Sequence, residues 1–296
     1  MEKVVFVILH YLTIEDTLEC IESIKNNVDY SNYEIVIVDN ASNNGTGEIL
    51  KENFQKEDII HVINNKENLG FAKGNNEGYI FAKEKLKAEF IILINNDTYI
   101  LDKNFIVDIV KYYKSNKFHI MGPKIISTQD NRNQNPLKEV IKDRNEIIKH
   151  IIKYSMLYIL NVIKVESLIK YIKSIHRKKS TFNDNKEGDE LKESIMNNVP
   201  LHGACIICSP IFINNMSYVF YPNTFLFVEE DILDTICRYK RFITVYYPKI
   251  TIFHKEDSST DFLMQSDEKK RKFIYKNIIK SSIEFYKLKA KIKYEN

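Results

Sequence analysis

The sequence predicts an α/β fold, with a central, mostly parallel sheet covered by helices on both faces. Three observations predict it. Short apolar runs recur through the first hundred residues, separated by amphipathic stretches of helical period. The runs are continuously apolar instead of alternating, which suits strands buried on both faces. Each run of the first half also ends in a polar residue, so one edge of the sheet would be lined with polar side chains.

The elements follow in order. Val4–Leu9 is the first strand and stops at His10-Tyr11. Glu15–Asn26 is a helix, with Leu18, Ile21 and Ile24 at helical spacing. Glu34–Val38 is the second strand, ending in Asp39-Asn40, and Ala41–Gly47 is a turn-rich loop. Ile59–Ile63 is the third strand and Gly74–Leu86 the second helix. Phe90–Ile94 is the fourth strand and delivers Asn95-Asn96-Asp97 to its tip. Beyond it, Asn104–Ser115 reads as a helix, His119–Ser127 as a strand and Gln129–Pro136 as a loop. Glu139–Lys179 forms a long basic helical region, followed by a polar linker at Ser180–Glu190. Cys205–Cys208, Phe225–Val228 and Ile243–Phe253 are further strands, with a helix at Asp231–Arg241. Phe273–Lys291 closes the chain as an amphipathic helix.

Composition narrows the function. At 296 residues, with 44% hydrophobic and 28% charged residues, the chain matches a soluble globular protein with a sizeable core. A formal net charge of +3 is too small to argue for nucleic acid, and no aromatic–basic RNA motif occurs. Cys205-Ile-Ile-Cys208 is a CxxC without a second pair, inside an apolar run, which disfavours zinc. Buried, reduced thiols and a start that runs directly into a strand, without a signal peptide, suggest a cytoplasmic setting. No run of eighteen uncharged apolar residues is present to span a bilayer.

Four polar strand tips on one sheet edge would build a crevice beyond the carboxyl ends of the strands, where open α/β sheets bind ligands. Asn95-Asn96-Asp97 offers one carboxylate, and a hard divalent cation on phosphate oxygens usually takes only one or two. Asp39 reads equally well as an acceptor for a base or ribose and as the cap of its own loop. Asn68–Gly78 is glycine-rich at a helix start, which favours anions. It contains neither GxGxxG nor a Gly-Lys-Ser/Thr, which disfavours dinucleotide dehydrogenases and P-loop kinases. In Glu229-Glu230-Asp231 mutual repulsion raises at least one pKa, as suits a general base. The same residues would also favour a helix N-terminus, with Asp231 as its cap.

Taken together, Val38-Asp39-Asn40-Ala41-Ser42, Asn68–Gly78 and Asn95-Asn96-Asp97 resemble family 2 glycosyltransferases, most closely the bacterial rhamnosyltransferase-like branch that builds surface polysaccharides. The similarity is dense over residues 4–100, recurs over 200–256 and fades between. It implies a GT-A fold over 1–260, with a nucleotide-sugar-binding half at 1–100 and an acceptor and catalytic half at 101–260. A basic helical insertion at about 139–190 and a helical extension at 261–296 complete the chain. It also implies an inverting transferase that moves a sugar from a UDP- or dTDP-sugar to a growing, lipid-linked glycan, with Mg or Mn as cofactor. His10, Tyr11, Thr13, Asp39 and Asn68 would line the nucleoside pocket, while Gly70, Asn96 and Asp97 would sit at the diphosphate. Gly203 and Ala204 would leave room for the donor sugar, with His202 an uncertain neighbour. Asp97 and His254 would hold the metal. Asp231 is the first choice of base and Glu230 the second, since the family's acidic pair matches either Glu229-Glu230 or Glu230-Asp231. The family's usual metal motif begins with Asp, and Asn95 stands there instead. A catalytically inactive nucleotide-sugar-binding scaffold is therefore one alternative, and a sugar-nucleotide pyrophosphorylase a second, although His10–Thr13 lacks the latter's glycine-rich basic loop.

The basic helical region interleaves Lys149, Lys153, Lys164, Lys170 and Lys173 with isoleucines and with Tyr154, Tyr158 and Tyr171. Such a stretch over 147–179 can lie on an anionic membrane surface at the inner face of the cell membrane. A core helix with a solvated lysine face and a homodimer contact are its other readings.

Overall fold

The computed structural model describes residues 1–165, 193–256 and 267–294. Their strands form one nine-stranded sheet. These are β1 (Val4–His10), β2 (Tyr33–Asp39), β3 (Ile60–Asn64), β4 (Phe90–Asn95), β5 (Thr98–Ile100), β6 (Ile120–Ser127), β7 (Met196–Asn197), β8 (Cys205–Cys208) and β9 (Thr244–His254). The order is β3-β2-β1-β4-β8-β6-β9-β5, with β7 also paired to β9. Strands β1 to β4 are mutually parallel, as are β6 and β9, while β8, β5 and β7 run antiparallel to their neighbours.

The described helices are α1 (Ile14–Asn27), α2 (Thr46–Phe54), α3 (Gly70–Glu84), α4 (Phe105–Ser115), α5 (Arg144–Val162), α6 (Pro210–Asn215), α7 (Glu229–Tyr239) and α8 (Asp267–Tyr294). Residues of β1 divide by alternation, as a pleat requires. Val4, Phe6 and Ile8 join a core with Ile21 and Ile24 of α1 and with Phe105 and Ile109 of α4. Val5 and Val7 join a second core with Tyr79 of α3, Ile232 of α7 and Phe285 of α8. Both faces are therefore dry, which explains the continuously apolar strands.

Strand β8 settles the CxxC. Cys205 belongs to the first core and Cys208 to the second, so the thiols point to opposite faces of the sheet. They can share neither a metal nor a disulfide, and all four cysteines are free and buried.

Several elements differ from expectation. Phe225–Val228 is a turn and not a strand: Phe227 and Val228 have φ of 70° and 72°, outside any strand. Helix α3 starts at Gly70, four residues before the expected start. Strands β5 and β7 and helices α2 and α6 are additional to the elements expected from sequence. Of Glu139–Lys179, residues 144–162 are helical, 139–143 are irregular, and 166–179 lie outside the described residues together with the 180–190 linker. Among the described residues no helix is long and apolar enough to cross a membrane.

Candidate active site

A pocket of about 390 Å³ opens beyond the carboxyl ends of β1, β2 and β4. Its floor is Leu9, Tyr11, Asn40, Asn68, Gly70 and Phe71, with Asn95, Asn96 and Asp97 from the β4 tip. Across from them stand His202, Gly203, Ala204 and the turn Phe225–Phe227, followed by Glu229 and Glu230 at the start of α7. Gln134, His254 and Glu256 close a third side, and Phe273 of α8 reaches in from the C-terminal helix.

Pairing between β5 and β9 brings His254 to the β4 tip. Thr98 lies opposite His254 in that ladder, and the Lys255 N–H donates to the Asp97 carbonyl at 2.9 Å. His254 Nδ1 lies 2.8 Å from Gln134 Oε1, an acceptor, so Nδ1 carries the proton. Nε2 lies 3.3 Å from Asp97 Oδ1, a buried oxygen with no hydrogen-bond partner. A positive charge there, either a proton on Nε2 or a metal ion between the two atoms, would satisfy that oxygen. The rest of the lining points the same way: it includes Asp97, Glu229, Glu230 and Glu256 but, among the described residues, neither Lys nor Arg. A diphosphate could enter such a pocket only with a counter-charge. The described residues contain no cluster of three or more His, Cys, Asp or Glu side chains able to hold a metal. Asp97 and His254 would thus act as a pair, with phosphate oxygens and water supplying the remaining ligands, as Mg-type sites commonly do.

On the nucleoside side Asn40 is the hub. Its Nδ2 donates to Asn68 Oδ1 at 3.0 Å and to the Gly70 carbonyl at 3.1 Å, and its Oδ1 accepts from the Leu69 N–H at 3.0 Å. Gly70 has φ of 78°, and a Cβ there would come 2.2 Å from the Phe225 carbonyl oxygen. That residue must be glycine on both counts. Asn96 is buried, and its Nδ2 donates to Thr13 Oγ1 at 2.9 Å, which ties the β4 tip to the start of α1.

Three expected donor contacts lie behind the lining. His10 is fully buried between Thr17 Oγ1 at 2.7 Å and Thr46 Oγ1 at 2.8 Å, and burial pushes its pKa down to about 4. Thr13 faces Asn96. Asp39 accepts from the Ser42 N–H at 3.2 Å, as the cap of its own loop, and burial raises its pKa. Tyr11, Asn68, Gly70, Asn96, Asp97, Gly203, Ala204 and His254 do meet in the pocket.

The three acidic residues separate. Glu230 lines the pocket, with Oε1 3.3 Å from the Gly203 N–H and so close that a Cβ on Gly203 would come within 2.8 Å of it. Glu229 is buried with Oε1 unpartnered, and burial beside Glu230 raises its pKa to about 8. Asp231 is outside the pocket lining and accepts from the Ile141 N–H at 2.6 Å, beside a separate surface cleft at Lys138–Lys142. Burial lifts its pKa to about 6. His202 accepts from the Ala204 N–H at 3.1 Å through Nδ1, and burial lowers its pKa, which leaves a neutral ring with its other nitrogen as donor. Asn40, Gln134, Glu229 and Phe273 are lining residues beyond the sequence-based set. Of these, Asn40 carried a signal as the second polar residue at the β2 tip and Glu229 as the first of three consecutive carboxylates, whereas Gln134 and Phe273 carried none.

Residues 5–178 match the sequence profile of the family described as Glycosyl transferase family 2. No curated protein matches the chain. Among solved structures, S. aureus TarS 1-349 aligns with a TM-score of 0.53 at 15% identity, covering 88% of this chain and 62% of that one. GalNAc-T7 with UDP, GalNAc and Mn2+ aligns at 0.59 and 12% identity, covering 88% and 45%. The mannosyltransferase PcManGT from Pyrobaculum calidifontis, in complex with GDP-Man and Mn2+, aligns at 0.54 and 12% identity, covering 88% and 59%. At these identities the likeness is one of fold, and the chain spans less than two thirds of each structure's length.

Proposed function

The chain belongs to glycosyl transferase family 2, and on that premise we propose that it is an inverting transferase of hexosyl or rhamnosyl groups. It moves a sugar from a UDP- or dTDP-sugar to a growing, lipid-linked bacterial surface polysaccharide. The observation that carries this reading is the acidic pocket, with the Asp97–His254 pair on one side and Glu230 on the other. Asp97 and His254 would hold Mg or Mn, which would neutralise charge on the departing nucleoside diphosphate. Asn40 holds the 68–70 loop against the nucleoside, and the missing side chain of Gly203 leaves space beside Glu230 for the transferred sugar.

In the reaction the acceptor hydroxyl attacks the anomeric carbon from the side opposite the diphosphate. Its proton passes to a Glu230 carboxylate oxygen as the new C–O bond forms. The old bond from anomeric carbon to phosphate oxygen breaks, and the diphosphate keeps the electron pair. Glu230 takes this role in preference to Asp231, whose carboxylate is occupied by the Ile141 N–H outside the pocket.

The test is nucleotide release from UDP-, dTDP- and GDP-sugars with Mn, with Mg and with chelator, a dTDP-deoxyhexose being the arm for rhamnosyl-type transfer. Glu230→Gln should lower turnover by roughly 10²–10⁴-fold while donor binding persists. Asp231→Asn should keep turnover. The opposite pattern returns the base to Asp231, and no release from any donor leaves the inactive-scaffold reading.

A further inference from the structure

Helices α5 and α8 run antiparallel, joined by Arg144 to Tyr286, His150 to Ser282 and Tyr154 to Tyr275. Each leaves one face to solvent. On α5 the exposed face is a stripe of Ile148, Ile152, Met156 and Ile159, continued by Ile163 just beyond the helix, with Lys149, Lys153 and Lys164 beside it. Ile152, Met156 and Ile159 are each 58% exposed, an unusual density of open apolar side chains on one helix face. Among the described side chains of α8, every exposed one but Ile283 is a lysine: Lys269, Lys272, Lys276, Lys280, Lys287 and Lys291. The helix holds ten basic and three acidic residues in a chain of net charge +3, so the remainder is net negative.

The two faces share a side. At 3.6 residues per turn the α8 lysines lie opposite Ile278, Ser281 and Phe285, which pack inward, and about a third of a turn from the residues that meet α5. With antiparallel helices, Ile148, Ile152 and Ile159 lean to that same outer side. Phe273 of α8, 6.5 Å from Phe225 between ring centroids, lines the pocket, so this outer surface adjoins the pocket mouth.

We infer that the α5–α8 pair is a membrane-docking platform for an anionic bilayer, with the apolar stripe entering the headgroup boundary and the α8 lysines on acidic lipids. Charge complementarity selects this occupant: an apolar partner surface would leave the lysine face unanswered, whereas an acidic leaflet satisfies both faces at once. It rests on the transferase reading in one respect: it would hold the pocket at the surface where a lipid-linked acceptor is presented.

The experiment is flotation of the full chain with vesicles of phosphatidylcholine containing about a third phosphatidylglycerol, and with phosphatidylcholine alone. Wild type should bind only the anionic vesicles and release at high salt. The triple variant Lys272→Glu, Lys276→Glu, Lys280→Glu should lose at least about tenfold in partitioning. The double variant Ile152→Ser, Ile159→Ser should also bind more weakly. Nucleotide release in the absence of vesicles should be unchanged in both, since none of these residues lines the pocket. Equal binding to both vesicle types, no binding to either, or variants that bind like wild type each overturn the platform. A double variant that changes oligomeric state and leaves vesicle binding intact assigns the stripe to a second copy and overturns it as well. Intact vesicle binding without nucleotide release from any donor would instead overturn the transferase reading.

Discussion

Glu229, Glu230 and Asp231 are consecutive carboxylates with three different surroundings, and about 100° of helix rotation per residue separates them. The sequence shows a cluster but not its rotation, which is why it ranks Asp231 ahead of Glu230 although only Glu230 of the two lines the pocket. A similar ambiguity placed His10 in the lining. At a strand end one residue decides which face a side chain takes, and His10 turns under the sheet edge while Tyr11 turns into the pocket. Glu229 supports a pH prediction. Its folded pKa of about 8 exceeds the ordinary 4.5, so between those values the folded chain retains a proton that the unfolded chain has lost. Stability therefore falls as pH rises through that window. His10 acts oppositely at lower pH, where its depressed pKa makes stability rise from about 4 towards 6.5. Glu229→Gln should remove the upper slope. Its melting temperature relative to wild type should climb from pH 5 to pH 8, by the equivalent of on the order of 3 kcal/mol, measured by calorimetry. A constant difference across that range would place the charge elsewhere.

Among the elements, the strands and helices of the first hundred residues were readable because hydrophobic period and strand-end chemistry agree there. Where they disagree the reading failed. Phe225-Leu226-Phe227-Val228 has the composition of a strand, yet its last two residues are left-handed, held by tertiary contacts to the 70–71 segment. Helix α2 offers only Leu50 and Phe54 as buried large side chains, too faint a period against its polar surroundings. Helix α3 starts early because Gly70 can take φ of 78° beneath the Phe225 carbonyl. Gly70→Ala should therefore cost about 1–3 kcal/mol in backbone strain before any clash, and weaken donor binding more than the loss of melting temperature explains. Isothermal titration with UDP on the folded variant reads the second effect. Asn76 bridges α3 to the second half: Oδ1 accepts from the Val219 and Phe220 N–H groups, and Nδ2 donates to the Phe220 carbonyl at 2.7 Å. Asn76→Ala should cost roughly 3 kcal/mol, since it strands several buried polar groups at once. Denaturant unfolding measures it.

At the level of the whole molecule, the α/β class followed from the order and burial of elements, while the pocket's far walls did not. Gln134 and Phe273 reach the pocket through a β-ladder and helix packing between residues far apart in sequence, and His254 was legible only through the family resemblance. No local pattern encodes such encounters. With an acidic lining and neither Lys nor Arg in it among the described residues, the proposed cation dependence belongs to the whole pocket: chelation should abolish nucleotide binding, and Asp97→Asn should shift the Mn concentration needed for half-maximal binding upward. Donor binding that persists unchanged in chelator would refute the cation pair.

The stitches across the pocket have a further consequence. The Phe71 N–H donates to the Phe225 carbonyl at 2.7 Å, Asn76 clasps Val219 and Phe220, and β4 and β8 share one ladder. The two sides of the pocket are thus a single mechanical body, and a clamshell motion would have to rupture backbone bonds and a sheet together. Substrate traffic must pass through rearrangement at the rim, and the amide protons of Phe71, Val219 and Phe220 should exchange with solvent at one common, slow rate, set by global unfolding.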